Sequence, residues 1–262
     1  MAIELHTLDG GEGDGLPLVV IHGLLGSADN WRSHLKSWQQ GRRVVAVDLR
    51  NHGRSPHADG MRYGEMAADV LATLDRLGIE RCHLLGHSMG GKVAITLARR
   101  HPERVASLVV ADIAPVAYGH GHDAIFAALR AVEAAAPENR REVDAIMAEH
   151  VPERAVRLFL ATNLVRGEGA MAWRVGLDEI EADYEAIRGE PEGEAPFQGP
   201  TLVIRGSRSN YVTDAMLPAL REVLPEAQLA TLEAGHWLHA EQPEAFQEAV
   251  ATFAARVDGA GD

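Results

Sequence analysis

Hydrophobic positions along the chain follow two periods. Short, nearly continuous apolar runs occur at Leu16-Pro17-Leu18-Val19-Val20-Ile21, Arg43-Val44-Val45-Ala46-Val47, His83-Leu84-Leu85, Val105 to Ala111, Thr201-Leu202-Val203-Ile204 and Ala227 to Leu232. Consecutive apolar positions predict strands buried on both faces, as in a parallel sheet covered by helices. Pro17 falls at the mouth of its run, where a missing N–H is tolerated. Residues 3–8 predict an edge strand, and the polar, glycine-rich 9–15 stretch a turn. Between the runs the period lengthens. Met66, Val70, Leu71, Leu74 and Leu77 lie at helical spacing within 64–77. Residues 89–100 predict a helix that His101-Pro102 stops. Two later helices are predicted at 214–223 and 243–256. This alternation predicts one α/β domain with a mostly parallel central sheet flanked by helices.

Residues 117–195 break the rhythm. They are rich in Ala, Glu and Arg, show no strand pattern, and carry candidate helices at 123–135, 139–149, 152–162 and 177–188. The expected organisation is a core of residues 1–116 and 196–262 with a helical cap, 117–195, inserted between them. The insertion comes after the Val105–Asp112 strand and loop, so it should lie over the sheet's C-terminal edge.

Composition narrows the function classes. Lys+Arg total 25 and Asp+Glu 38, a formal net charge of -13 in 262 residues, which argues against a broadly basic nucleic-acid surface. Cys82 is the lone cysteine, so neither an intrachain disulfide nor a multi-cysteine metal site is available. No basic-then-apolar leader opens the sequence, and no apolar run approaches about 18 residues. A cytoplasmic enzyme without membrane insertion is the default expectation. Oligomeric state is open, with a monomer favoured.

Gly86-His87-Ser88-Met89-Gly90 matches G-x-S-x-G between a predicted strand and a predicted helix, the setting that gives the motif meaning. A tight strand-to-helix turn of this kind, a nucleophile elbow, lifts Ser88 above the sheet. The flanking glycines permit close backbone approach, and the helix N-terminus favours developing negative charge. A serine needs a base. His236, in Glu233-Ala234-Gly235-His236-Trp237, comes after the last predicted strand and is the first candidate. His239 is its nearest competitor. His87 adjoins the serine but points away from it. The histidine in turn needs an acid. Asp112 ends the strand after the serine's strand; Asp214, which reads as a helix N-cap, is the second candidate. The oxyanion donors expected are the N–H of Met89 and that of Leu24, in His22-Gly23-Leu24-Leu25-Gly26, with His22 ordering that loop. Leu25 and Trp237 are candidate pocket walls, as are Phe126, Phe159, Met171, Trp173 and Tyr184 from the insertion. No G-x-G-x-x-G fingerprint or P-loop accompanies them.

These motifs, in this order, resemble the α/β-hydrolase superfamily over nearly the whole chain. Asp48-Leu49-Arg50-Asn51-His52-Gly53-Arg54-Ser55-Pro56-His57 and Asp112-Ile113-Ala114-Pro115 are most similar to the branch of bacterial YbfF-type esterases and their mitochondrial abhydrolase relatives. The usual family acid falls at the position of Ser209, which carries no carboxylate; some members place it where Asp112 stands. The resemblance implies a serine carboxylesterase acting on small-molecule esters through a covalent acyl-enzyme, with no metal or organic cofactor. Ser88 in place of an aspartate nucleophile argues against epoxide hydrolase or haloalkane dehalogenase activity. Thioesterase, lactonase, carbon–carbon bond hydrolase and cofactor-free haloperoxidase remain alternatives on the same triad. A noncatalytic ligand receptor on this scaffold is a further one, disfavoured by the intact Ser88/His236 pair.

Overall fold

A computed structural model describes residues 2–260. In chain order, β1 (Thr7–Gly10), β2 (Leu18–Ile21), α1 (Arg32–Trp38), β3 (Val44–Val47), α2 (Tyr63–Arg76), β4 (Cys82–His87), α3 (Met89–Arg100) and β5 (Val105–Ala111) form the first part of the core. Residues 117–195 hold α4 (Asp123–Ala135), α5 (Arg140–Ala148), α6 (Arg154–Leu160), β6 (Leu164–Arg166), β7 (Met171–Trp173), α7 (Leu177–Ala182) and α8 (Tyr184–Arg188). The core resumes with β8 (Thr201–Gly206), α9 (Leu217–Val223), β9 (Ala227–Leu232), α10 (Leu238–Glu241) and α11 (Pro243–Gly259).

Seven strands pair in the order β1-β3-β2-β4-β5-β8-β9. Only β1 is antiparallel. The apolar runs of β2, β3, β4, β5 and β8 are buried on both sides because successive side chains enter different layers, whereas the expected burial of Ala227–Leu232 fails, since β9 is an edge strand with Leu229 exposed. Leu18 and Val20 of β2 join Val44, Ala46, Leu85 and Val109 against α1 and α11, through Trp31, Trp38, Phe246 and Phe253. Val19 and Ile21 join Val45, Val47, Leu84 and Val110 against α2 and α3. The second core continues into the inserted segment through Phe126, Leu129, Val143, Leu160 and Ile180, so 117–195 shares a core with the sheet.

The strand expectations hold in the centre and shift at the margins. The edge strand is Thr7–Gly10 rather than 3–8, because Leu8 and Asp9 pair with Ala46 and Val45. The insertion was expected to be strand-free, yet β6 and β7 form an antiparallel hairpin. Three-residue strands are too short to show a period of two, and Gly169, at φ 85°, turns the chain between them.

Candidate active site

The parallel strands all end on the same edge of the sheet, and the loops leaving five of them build the site. Leu24 lies in the loop after β2, Ser88 after β4, Asp112 after β5, Ser209 after β8 and His236 after β9. Ser88 occupies φ 53°, ψ −121°, a backbone region costly for a residue with a Cβ. The turn is possible because its flanks carry none. A Cβ on Gly86 would lie 2.1 Å from the Gly90 carbonyl oxygen, and one on Gly90 would lie 2.3 Å from that of His22.

Ser88 Oγ–H donates to His236 Nε2 at 3.0 Å. His236 Nδ1–H donates to Asp112 Oδ2 at 2.8 Å. Asp112 is fully buried and sits at φ 51°. Gly206 N–H donates to its Oδ1 at 2.9 Å, and Ser209 Oγ–H donates to Oδ2. The acid therefore comes from the strand beside the nucleophile's, while the hydroxyl of Ser209 braces it from the position of the usual acid. Asp214 takes no part: its carboxylate is exposed and pairs with Arg205 at 2.6 Å. Nor does it cap a helix; Thr213 is the N-cap residue there, and Asp214 begins the next turn.

The imidazole of His236 is held on further sides. Tyr211 stacks on it with ring centroids 4.0 Å apart, and His87 Nε2–H donates to its carbonyl at 2.9 Å. Burial, reinforced by His236, pushes His87 down to about 3, so it serves as a neutral donor. His239 lies buried and stacked on Trp31, 4.5 Å between centroids. Sequence reasoning missed Tyr211. The aromatic after the β8 turn was the signal, but nothing in spacing marked it as reaching the next loop.

The N–H groups of Leu24 and Met89 donate no hydrogen bond to another described group. Met89 opens α3, so its N–H has no intrahelical partner. The loop carrying Leu24 is fixed by two buried histidines. His22 Nδ1–H donates to Gly23 O at 2.8 Å, and its Nε2 accepts from Leu49 N–H at 3.0 Å. His52 Nδ1–H donates to Arg50 O at 2.9 Å, and its Nε2 accepts from Leu25 N–H at 3.0 Å. Both roles require neutral rings. Burial lowers both pKa values, that of His52 to about 3.

Two cavities meet at Ser88. The narrower, about 60 Å³, runs past Leu25, Phe159, Leu160, His236 and Trp237. The wider, about 490 Å³, is bounded by Met89, Lys92, Ile113, Tyr118, Tyr184 and Tyr211 among others. Leu25, Phe159, Trp237 and Tyr184 thus stand where a pocket wall was expected. Phe126, Met171 and Trp173 line neither cavity. Phe126 is buried edge-on against Tyr184, 5.0 Å between centroids, while the Trp173 indole N–H donates to Leu129 O at 3.0 Å. Met171 packs, partly buried, against the core of the same segment. Lys92 was also unforeseen as a wall. Its ammonium is buried and donates to the carbonyls of Val116 at 2.8 Å and Gly189 at 2.5 Å, tying α3 to the ends of the inserted segment. Among the described residues no group of His, Cys, Asp and Glu could hold a metal ion, and no helix is long and apolar enough to cross a membrane.

A family model for the alpha/beta hydrolase fold matches residues 17–243. The chain belongs to the α/β-hydrolase family. It is 41% identical over 267 residues to the sn-1-specific diacylglycerol lipase ABHD11 of Mus musculus, covering 97% of this chain and 86% of the mouse protein. It is 37% identical over 239 residues to Esterase YbfF of Escherichia coli (strain K12), covering 90% and 92% respectively. The solved structure of a marine microorganism esterase superposes with a TM-score of 0.92 at 38% identity, covering 96% of this chain and all of that one. Within this α/β-hydrolase, serine, histidine and aspartate form one hydrogen-bonded line at the mouth of two cavities, the arrangement of a serine hydrolase.

Proposed function

We propose that this α/β-hydrolase is a carboxylesterase for small to medium acyl esters. The observation that carries the proposal is the Ser88–His236–Asp112 line facing two unpartnered backbone N–H groups at an open cavity. Similarity to proteins named as esterases and as a diacylglycerol lipase supports an ester as substrate.

His236 Nε2 takes the Ser88 proton as Oγ attacks the ester carbonyl carbon. The Leu24 and Met89 N–H groups receive the charge that develops on the carbonyl oxygen; one such donor contributes about 3 kcal/mol in comparable sites. His236, held as imidazolium by Asp112, protonates the departing alcohol oxygen. Water then enters, loses a proton to His236 and attacks the acyl carbon; the bond to Ser88 Oγ breaks as His236 returns that proton to Oγ, and the acid is released. Charge is exchanged among groups already fixed, so little reorganisation accompanies each step.

The leaving oxygen must sit beside His236 Nε2, and His236 lines the narrower cavity, so the alcohol occupies that cleft. The acyl chain then lies in the wider one, between Met89, Ile113 and the tyrosines. We assign residues 117–195 the role of a cap, because His122, Phe159, Tyr184 and Arg188 bring its walls over Ser88.

The test is hydrolysis of p-nitrophenyl esters from acetate to dodecanoate by the purified chain and its Ser88→Ala variant. The expected result is turnover that favours short and medium chains and vanishes in the variant with unchanged circular dichroism. Undiminished turnover by a folded Ser88→Ala protein overturns the assignment.

A further inference from the structure

Three residues line both cavities at Ser88: Ser88 itself, Leu24 and His122. The first supplies the attacking hydroxyl and the second an N–H of the oxyanion site under the proposed mechanism, on which this inference rests. His122 enters from the other side of the cleft, at the residue before α4. No catalytic role has used it.

Its protonation pattern is set by its one side-chain partner. His122 Nδ1 lies 2.6 Å from the Tyr184 hydroxyl. That hydroxyl already accepts, weakly, from Gly121 N–H at 3.4 Å. Among the described residues its own proton has no acceptor except His122 Nδ1. With Tyr184 donating to Nδ1, the ring proton resides on Nε2. Nε2–H has no partner among the described residues and is not among the buried polar atoms sealed from solvent without one. Burial and the nearby His236 both lower the pKa of His122, so the neutral tautomer is the working form.

We propose that His122 Nε2–H is a specificity-determining donor that binds an oxygen acceptor on the alcohol portion of the substrate, close to the scissile bond. His122 borders both cavities, and the alcohol side is the one it shares with His236. His122 shares the narrower cleft with His236, and the leaving oxygen must meet His236 there to take its proton. A donor at that junction, without a protein acceptor, is unsatisfied against a plain alkyl alcohol and satisfied by an ether or hydroxyl oxygen a few atoms from the ester. Bound substrate covers this donor, and leaving a covered donor unpaired is penalised more than making the bond is rewarded, so the donor discriminates against the alkyl ester as well as favouring the oxygenated one. The recognised class is esters of oxygen-bearing alcohols.

The measurement is kcat/KM for 2-methoxyethyl butyrate against n-butyl butyrate. The two differ by an ether oxygen in place of one methylene. Wild type is compared with His122→Phe, His122→Gln and Tyr184→Phe, each checked for fold by near-ultraviolet circular dichroism. The methoxy group's inductive effect acts on every variant and cancels in the ratio between them. The expected result is that the preference for the methoxyethyl ester falls about three- to tenfold in His122→Phe, the range set by one neutral hydrogen bond. Part of the change should appear as slower methoxyethyl turnover and part as faster n-butyl turnover. His122→Gln, which presents an N–H near the same place, should retain most of the preference. Tyr184→Phe should lose part of it, because the tautomer is no longer fixed. An unchanged ratio in a folded His122→Phe protein overturns the proposal, as does an equal fall for both esters. Should His122→Phe not fold, an unchanged ratio in both other variants overturns it and a fall confined to Tyr184→Phe supports it. Absence of hydrolysis of either ester by wild type would instead strike the esterase reading.

Discussion

Replacing Asp112 by asparagine removes a charge while keeping the volume. The structure makes the consequence specific. The carboxylate accepts three hydrogen bonds and donates none: from His236 Nδ1–H, from Gly206 N–H and from Ser209 Oγ–H. Asparagine can accept through one atom only. With its oxygen toward Gly206, the amide NH2 faces His236 Nδ1, which must then give up its proton and act as acceptor. The ring proton moves to Nε2, and Nε2 can no longer take the proton of Ser88. With the amide reversed, NH2 meets Gly206 N–H, donor against donor, in a fully buried place. The stabilising charge beside the imidazolium is absent in both orientations. In a serine protease triad the equivalent change lowers kcat about 10⁴-fold, which corresponds to about 5.4 kcal/mol on the barrier. A fall of that order is expected here, with KM changed far less because Asp112 is not a wall of either cavity. Steady-state hydrolysis of p-nitrophenyl butyrate near neutral pH measures it, with Asp214→Asn as the control. Asp214→Asn should remain near wild type, since its exposed carboxylate serves only Arg205. A folded Asp112→Asn protein within tenfold of wild type would refute the reasoning.

The remaining predictions address strain, walls and acid stability. Because Ser88 sits at φ 53°, Ser88→Gly should be more stable than Ser88→Ala by about 1 kcal/mol in urea unfolding, the reverse of the usual order of these residues; an Ala variant at least as stable as the Gly variant would count against strain at this turn. Phe159→Ala should shift the relative rates of esters with large and small alcohols, whereas Trp173→Ala should leave that profile unchanged and lower stability, as its indole serves Leu129 O rather than a cavity; the opposite pattern would exchange their assignments. His52 and His87 are held near 3 in the folded chain against 6.5 in the unfolded one, so below about pH 6.5 the unfolded chain binds protons that the folded chain does not. Stability should therefore fall as pH drops, each group adding up to about 1.4 kcal/mol per pH unit. His87→Asn should flatten the slope of unfolding free energy between pH 6.5 and 4.5, and an unaltered slope would show that His87 is not kept neutral by the fold.

The central strands were legible because burial on both faces writes itself as nearly unbroken apolar residues, as in Val44–Val47 and, with Ser107 alone polar, Val105–Ala111. The margins obey other forces. Thr7–Gly10 is a strand because β3 offers it an edge, not because its own residues alternate. Within 117–195 the first helix is marked by its sequence, Asp123–Ala135, yet 177–188 divides into α7 and α8 at Asp183. Asp183 spends its carboxylate on Met61 N–H, 122 residues away in sequence. A partner so distant leaves no local trace in the sequence.

For the site, sequence located groups and the structure supplied their relations. Ser88 could be found because close approach demands glycine at 86 and 90, and that demand has a fixed spacing. Asp112 could be argued because Ser209 stands where a carboxylate would otherwise be. What spacing could not convey is that Ser209 still serves the triad, by donating its hydroxyl proton to the acid that replaces it. His122 shows the same limit from the other direction. Nothing around it distinguishes it from His120, two residues earlier. Yet His120 is exposed, lies 3.0 Å from Glu185 and borders the wider cavity alone, while His122 hydrogen-bonds Tyr184 and borders both cavities. Under the inference drawn above, His122 is the substrate-facing donor because α8 places Tyr184 against its Nδ1. A residue's chemistry is written in the sequence, but its proton is assigned by its neighbours, and the proposed mechanism depends on that assignment at His236 and His52, as the further inference does at His122.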